Sequence, residues 1–159
     1  MSLSALQSRQ LAESAITAVL PQLLSLPVVV LSEGDSRIPA AVIPCLDGVV
    51  TISDGRALCT VTLRFAPDLA RAAAARVFGH ADPNEVPAAE LKDIVGEICN
   101  MLAGRVAAHW ISNGKPCLLS PPVVRIEPDY KVDLTPGHED VCTHWCCAGQ
   151  WFSLEIKTY

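Results

Sequence analysis

Asp93, Glu97 and Asn100 follow one another at spacings of four and three residues in the segment DIVGEICNMLAGRVAAHW, which reads as a helix. Side chains three and four apart lie on one helix face, one turn above the next. The chemistry open to such a trio depends on its types. A carboxamide is no general base at neutral pH, yet it donates and accepts hydrogen bonds at once. It suits the holding of a water whose attack needs positioning more than proton removal. A carboxylate one turn away can meet a cation in a charge-assisted pair, and both groups can enter one narrow pocket together.

At about 100° per residue the helix has two faces. Leu91, Ile94, Val95, Ile98, Met101, Leu102 and Val106 share a broad apolar side that should pack on the rest of the fold. Asp93, Glu97, Asn100 and Gly104 form a stripe nearly opposite, expected in solvent. An outward polar face needs no function, so the spacing alone leaves that reading open. Composition speaks against it. Asn is a poor helix-interior residue, and Gly96 and Gly104 cost about 1 kcal/mol each against Ala. Gly104 leaves room for another backbone to come close to the stripe.

The elements that must position this helix can be read around it. Ser4 to Leu20 is helical by its Leu6, Leu11, Ile16, Leu20 spacing, with Pro21 expected to end it. PVVVLSE reads as a strand, and Asp54-Gly55 separates two Val/Thr/Ile-rich runs as a hairpin turn would. PDLARAAAARVFG follows as a helix with Pro67 in its first turn and Gly79 past its end. Ala81 to Pro87 is a turn-rich connection; the long helix then runs from Ala88 to about Ser112, closed by Asn113-Gly114. PPVVRIE, YKVDL, VCTHWCC and WFSLEIK read as strands, with a turn at Ala148-Gly149-Gln150. The order predicts an α/β (α+β) fold, a mainly antiparallel sheet packed against the long helix and two others, as a single domain over residues 1–159.

Composition bounds the function. Half of the 159 residues are hydrophobic and 18% charged, the mark of a well-buried chain. A net charge of −5 with scattered Lys and Arg argues against nucleic acid, which demands clustered cations. The apolar run from Ile16 to Leu31 is broken by Pro21, Gln22 and Pro27 and is too short to span a membrane. No secretory signal pattern opens the chain, so a cytoplasmic protein is expected. Seven cysteines without paired C-x-x-C motifs read as small core hydrophobes. His138, Cys142, His144, Cys146 and Cys147 hold soft donors, but alternating strand residues serve tetrahedral zinc poorly; no metal is expected, and a sheet face or subunit contact is. His80 and His109 have no Ser or carboxylate partner nearby in sequence and read as structural, His109 on the buried side of the long helix. Trp110, Trp145 and Trp151 belong to the core or an interface. P-loop, dinucleotide-binding and nucleophile-elbow patterns are absent.

GEICNMLAGRVA, with GKPCLLSPPVVR downstream, resembles the CheX proteins of the CheC/CheX/FliY response-regulator phosphatases. The family pattern is Asp or Ser, three residues, Glu, two residues, Asn, and a Pro about twenty-two positions on. It falls here on Asp93, Glu97, Asn100 and Pro122, with Pro121 beside it. GRALCTVTLRFAPDLARAAAARVFG is similar to the strand, turn and helix that precede the active helix in that family. The resemblance implies hydrolysis of the aspartyl-phosphate of a CheY-like receiver domain, which keeps its own phosphoaspartate, lysine and Mg2+; no cofactor of the chain's own is implied. Glu97 would pair with the receiver's lysine, Asn100 would hold the attacking water, and Asp93 would make a supporting contact. Pro122 would hold the strand after the helix. CheC-like relatives often carry the motif twice, but the first helix has Glu13 with no Asn three residues on, so one site is expected. A homodimer joined through the sheet is compatible with the strand-rich C-terminus. The alternative is a module that docks on a response regulator without hydrolysis.

Overall fold

In the computed structural model, which describes residues 3–134 and 140–159, Ser4 opens helix α1 (Ala5–Leu24) with a capping box. The Ser4 hydroxyl accepts from the Gln7 amide, and the Gln7 side chain accepts in return from the Ser4 amide. Pro21 does not end this helix. It removes one backbone donor, a cost of about 3 kcal/mol. The last turn nevertheless buries Leu20 and Leu24, each worth roughly 1.5–3 kcal/mol, and the helix runs on until Ser25 turns into the left-handed region at φ 51°.

Strands β1 (Val28–Leu31), β2 (Ile43–Ser53) and β3 (Ala57–Phe65) come next, then α2 (Pro67–Phe78), a 3-10 turn (Pro83–Glu85) and α3 (Ala88–Ser112). The chain finishes with β4 (Leu118–Leu119), β5 (Val123–Tyr130), β6 (Asp140–Cys147) and β7 (Gln150–Thr158). The seven strands form one antiparallel sheet in the order β1-β6-β7-β3-β2-β4, and β5 also pairs with β2. The fold class therefore matches the sequence reading. Two details differ. YKVDL forms no strand of its own: β5 absorbs Tyr130 and the regular pairing stops there. The short β4 was missed because a two-residue strand has too few positions to show a period.

Alternation decides which side of the sheet meets the helices. Val50 and Ile52 from β2, Val61, Leu63 and Phe65 from β3, and Phe152, Leu154 and Ile156 from β7 all point into one core. Ile16 and Leu20 of α1 and Ile94, Ile98, Leu102 and Val106 of α3 close it. Ala70, Ala73 and Ala74 of α2 are fully buried, and their small side chains let α2 sit close to its neighbours. The β6–β7 turn puts both Ala148 (φ 50°) and Gly149 (φ 75°) in the left-handed region, the pattern of a two-residue hairpin loop.

Gly48 sets how closely α3 lies on the sheet. A β-carbon there would stand 3.0 Å from Cβ of Cys99, 3.1 Å from Cγ1 of Val95 and 3.2 Å from the Val95 carbonyl oxygen. Only the missing side chain admits this approach, and the Cys99 thiol uses it to donate to the Gly48 carbonyl at 3.1 Å. No helix among the described residues is long and apolar enough to cross a membrane.

Candidate functional site

With α3 seated by its apolar face, the stripe faces outward. Asp93, Glu97 and Gly104 are exposed and Asn100 is half-buried. The side chains of Asp93, Glu97 and Asn100 make no hydrogen bond or ion pair among the described residues. Met101 corrects the sequence reading: it is 38% exposed, although the helical wheel put it on the apolar side. Its angle falls at the margin of that face, where α1 does not cover it. His109 is likewise only half-buried, lying edge-on to Trp110.

A shallow groove of ≈ 490 Å³ runs beside the stripe, lined by Lys92, Asp93, Gly96, Glu97, Pro122 and Val124. Helix and strand meet here because of Gly96. A β-carbon on it would lie 3.3 Å from Cγ2 of Val124 and 3.4 Å from Cγ of Pro122. The strand side is pinned to β2. The Thr51 amide donates to the Ser120 hydroxyl at 3.0 Å, and the Ser120 amide donates to the Thr51 carbonyl at 2.9 Å. The register then sets Val124 opposite Gly48 and Val123 opposite Val49. Pro122 is thereby held against the helix one residue from Glu97, bringing together two places that lie 25 positions apart in sequence. Asn100 sits one turn beyond the groove, and Gly104 one turn further still. A β-carbon on Gly104 would touch nothing within 4 Å.

Sequence reasoning missed Gly48, Val124 and Lys92 as neighbours of this region. Gly48 lies in a Val-rich strand, where an interior Gly is itself a signal of close backbone approach.

A second polar cluster lies on the opposite face of the sheet. Arg64 Nη1 contacts Glu155 Oε2 at 2.6 Å, Arg64 Nε lies 3.2 Å from Asp47 Oδ2, and the guanidinium stands 4.8 Å from the Tyr130 ring centroid. The Cys45 thiol donates to Asp47 at 3.2 Å. Burial raises the Asp47 carboxyl above its ordinary value, while Arg64 opposes the rise. Along β6, Cys142, His144 and Cys146 do share this face, and Trp151 donates its indole N–H to Nδ1 of His144 at 3.3 Å. Burial, and then the charge of Arg64, push His144 below its ordinary value. All seven cysteines are free thiols, and burial pushes Cys142 up to about 11 and Cys59 and Cys99 up to about 12. Cys59, Cys99 and Cys142 therefore remain protonated at neutral pH, which suits packing better than nucleophilic work. Among the described residues no three His, Cys, Asp or Glu side chains group as metal ligands; His138 lies outside those residues. His80 has a carboxylate partner that sequence proximity did not show: Nε2 meets Oε2 of Glu90 at the start of α3.

The model of a protein family described as chemotaxis phosphatase CheX matches residues 47–145, which include the whole of α3 and Pro122. No curated protein matches the sequence. Among solved structures the chain is similar to CheX of Vibrio vulnificus, at 17% identity and a TM-score of 0.73, covering 94% of this chain and 97% of that one. CheX of Desulfovibrio desulfuricans gives 17% identity and a TM-score of 0.72 over the same shares. CheX of Borrelia burgdorferi, solved as a complex with CheY, BeF3 and Mg2+, gives 15% identity and a TM-score of 0.60, covering 93% of this chain and 95% of that one.

Proposed function

Since the chain belongs to the CheX family, we propose that it is a phosphatase for the aspartyl-phosphate of a CheY-like receiver domain, acting as one domain over residues 1–159. The observation that carries the reading is the pair Glu97 and Asn100, outward on a helix whose other side is buried and without a partner among the described residues. Such groups are free to spend their hydrogen bonds on another protein.

The roles follow from type and place. Glu97 docks against the receiver's lysine, a charge-assisted contact that strengthens as the interface excludes water. Asn100 accepts from and donates to the attacking water, setting its oxygen in line with phosphorus. The new P–O bond forms from that water as the acyl-phosphate P–O bond breaks. The receiver's Asp leaves as a carboxylate, and the water's proton passes to the phosphate product and solvent. Mg2+ belongs to the receiver, as supported by the Borrelia protein's complex with CheY, BeF3 and Mg2+. The chain needs no cofactor of its own. Asp93 gives a supporting contact, Gly104 clears space for the receiver backbone, and Pro122 braces the helix through Gly96.

The expected setting is the cytoplasm, where receivers work. A homodimer through the sheet is part of the reading, supported by the apolar edge strand β1 with Val29 and Val30 half-exposed.

The test is phosphate loss from a panel of purified, phosphorylated receiver domains. Wild type should shorten the lifetime of at least one. Asn100→Ala should lose hydrolysis while keeping binding, and Glu97→Ala should weaken binding. A receiver that binds wild type with an unchanged lifetime would convert the reading to a docking module without hydrolysis.

A further inference from the structure

The stripe is the crest of a ridge, and α3 has a groove on each flank. One is the groove against Pro122 and Val124. The other, ≈ 440 Å³, lies between α3 and α1 and is lined by Ala18, Val19, Gln22, Leu23, Met101 and Arg105. At about 100° per residue, Met101 and Arg105 stand on the opposite flank of the crest from Gly96.

Three features in and beside this second groove are not accounted for by contacts among the described residues. Met101 is 38% exposed where a polar residue would cost nothing. Arg105 is exposed and has no carboxylate or aromatic partner among the described residues. Gly104, on the crest beside them, gives up about 1 kcal/mol of helix propensity although a methyl group there would meet open space. All three sit within five residues of Asn100, a rise of about 7.5 Å. The ridge is also bipolar: Glu97 precedes Arg105 by eight residues, a rise of about 12 Å.

We infer that the α1–α3 groove is a second docking site for the same receiver, taking a segment that lays an apolar side chain on Leu23 and Met101 and a carboxylate on Arg105. The inference rests on the phosphatase reading. Its occupant follows from continuity, since a body seated on Asn100 overhangs Met101, and from charge. A partner with its cation at Glu97 and its anion about 12 Å along the ridge fits in one orientation only. The groove thus governs which receivers bind and leaves the chemical step to Asn100.

Steady-state hydrolysis tests this on the receiver domain that wild type turns over fastest in the panel, with Kd measured for the same receiver loaded with Mg2+ and BeF3. Arg105→Glu and Leu23→Asp should each raise KM and Kd roughly tenfold with kcat held within about twofold, and Arg105→Lys should recover most of the loss. Arg105 is exposed, so its reversal spares the fold, which a melting curve verifies. Unchanged KM and Kd in both variants would overturn the groove while leaving the phosphatase intact. Variants that altered self-association in sedimentation and left KM alone would assign the groove to a second copy of the chain, which also overturns it. No turnover of any receiver by wild type would remove the phosphatase reading, and the groove with it.

Discussion

Asp47 and Glu155 on one face of the sheet, and Asp93 and Glu97 on the outside of α3, are the same chemical groups in opposite circumstances. The first two flank a largely buried guanidinium at 3.2 and 2.6 Å, with a tyrosine ring and a thiol completing the set. The second two have no partner among the described residues and stand beside an exposed groove. By burial and charge the sheet cluster is the more conspicuous, and strongly perturbed groups often mark function. Here burial is the chief cause of the perturbation at Asp47, and the members are paired with one another. The unremarkable-looking cluster is the one whose charged and amide side chains have no partner among the described residues. Under the proposed function, pairing within the fold, more than perturbation, separates the structural cluster from the docking one.

The comparison breaks most readily at Arg64. Arg64→Met should destabilise the protein by about 3 kcal/mol in urea unfolding, because it leaves two carboxylates facing each other in a poorly hydrated site. The value stands at the low end of such losses because Glu155 stays 26% exposed. The specific rate of the folded fraction should not change; a lost rate at full folding would move the active cluster to this face. Next, Asn100→Ala should lower phosphatase turnover roughly 100-fold, the scale on which a misplaced reactant is felt, with unfolding free energy unchanged or slightly raised. A matching loss of stability would show that Asn100 serves the fold.

His144 supplies a smaller effect. The folded protein holds its imidazole below the ordinary value, so the unfolded chain takes up the proton first as pH falls below about 6.5. The stability contributed by this neutral, buried ring is intact above that pH and is lost as pH drops toward the folded value, at a slope of up to about 1.4 kcal/mol per pH unit. Unfolding curves at pH 7.5 and 5.5 should show the fall in wild type, and His144→Gln should flatten it. Smallest is Gly104→Ala, which should add about 1 kcal/mol of stability while weakening receiver binding. Stabilisation with unaltered binding would mean that no backbone approaches the stripe there.

The shared face of the candidate site was legible because helix geometry converts sequence spacing directly into a common side of the helix. Asp93, Glu97 and Asn100 could be grouped from their numbers alone, and so could the apolar side that turns them outward. The same periodicity misjudged Met101, since an angle at the margin of a face does not say whether a neighbour covers it. Pro21 and YKVDL went astray for a related reason: local breakers and local alternation yield to burial, which is a property of the whole fold. His80 and Glu90 met ten residues apart across a turn that no periodicity describes.

The sequence by itself determined most of the elements, the outward stripe of α3 and the identity of the groups presented, because each depends on residues within a few turns of one another. Tertiary structure decided what those groups stand beside. Gly48 lowers α3 onto the sheet, and Ser120 ties the approach to β5 onto Thr51. Gly96 then receives Pro122 and Val124, and α1 opens a second groove at Met101 and Arg105. These are contacts between distant segments, set by strand register and by how closely backbones approach, and no local pattern carries that information.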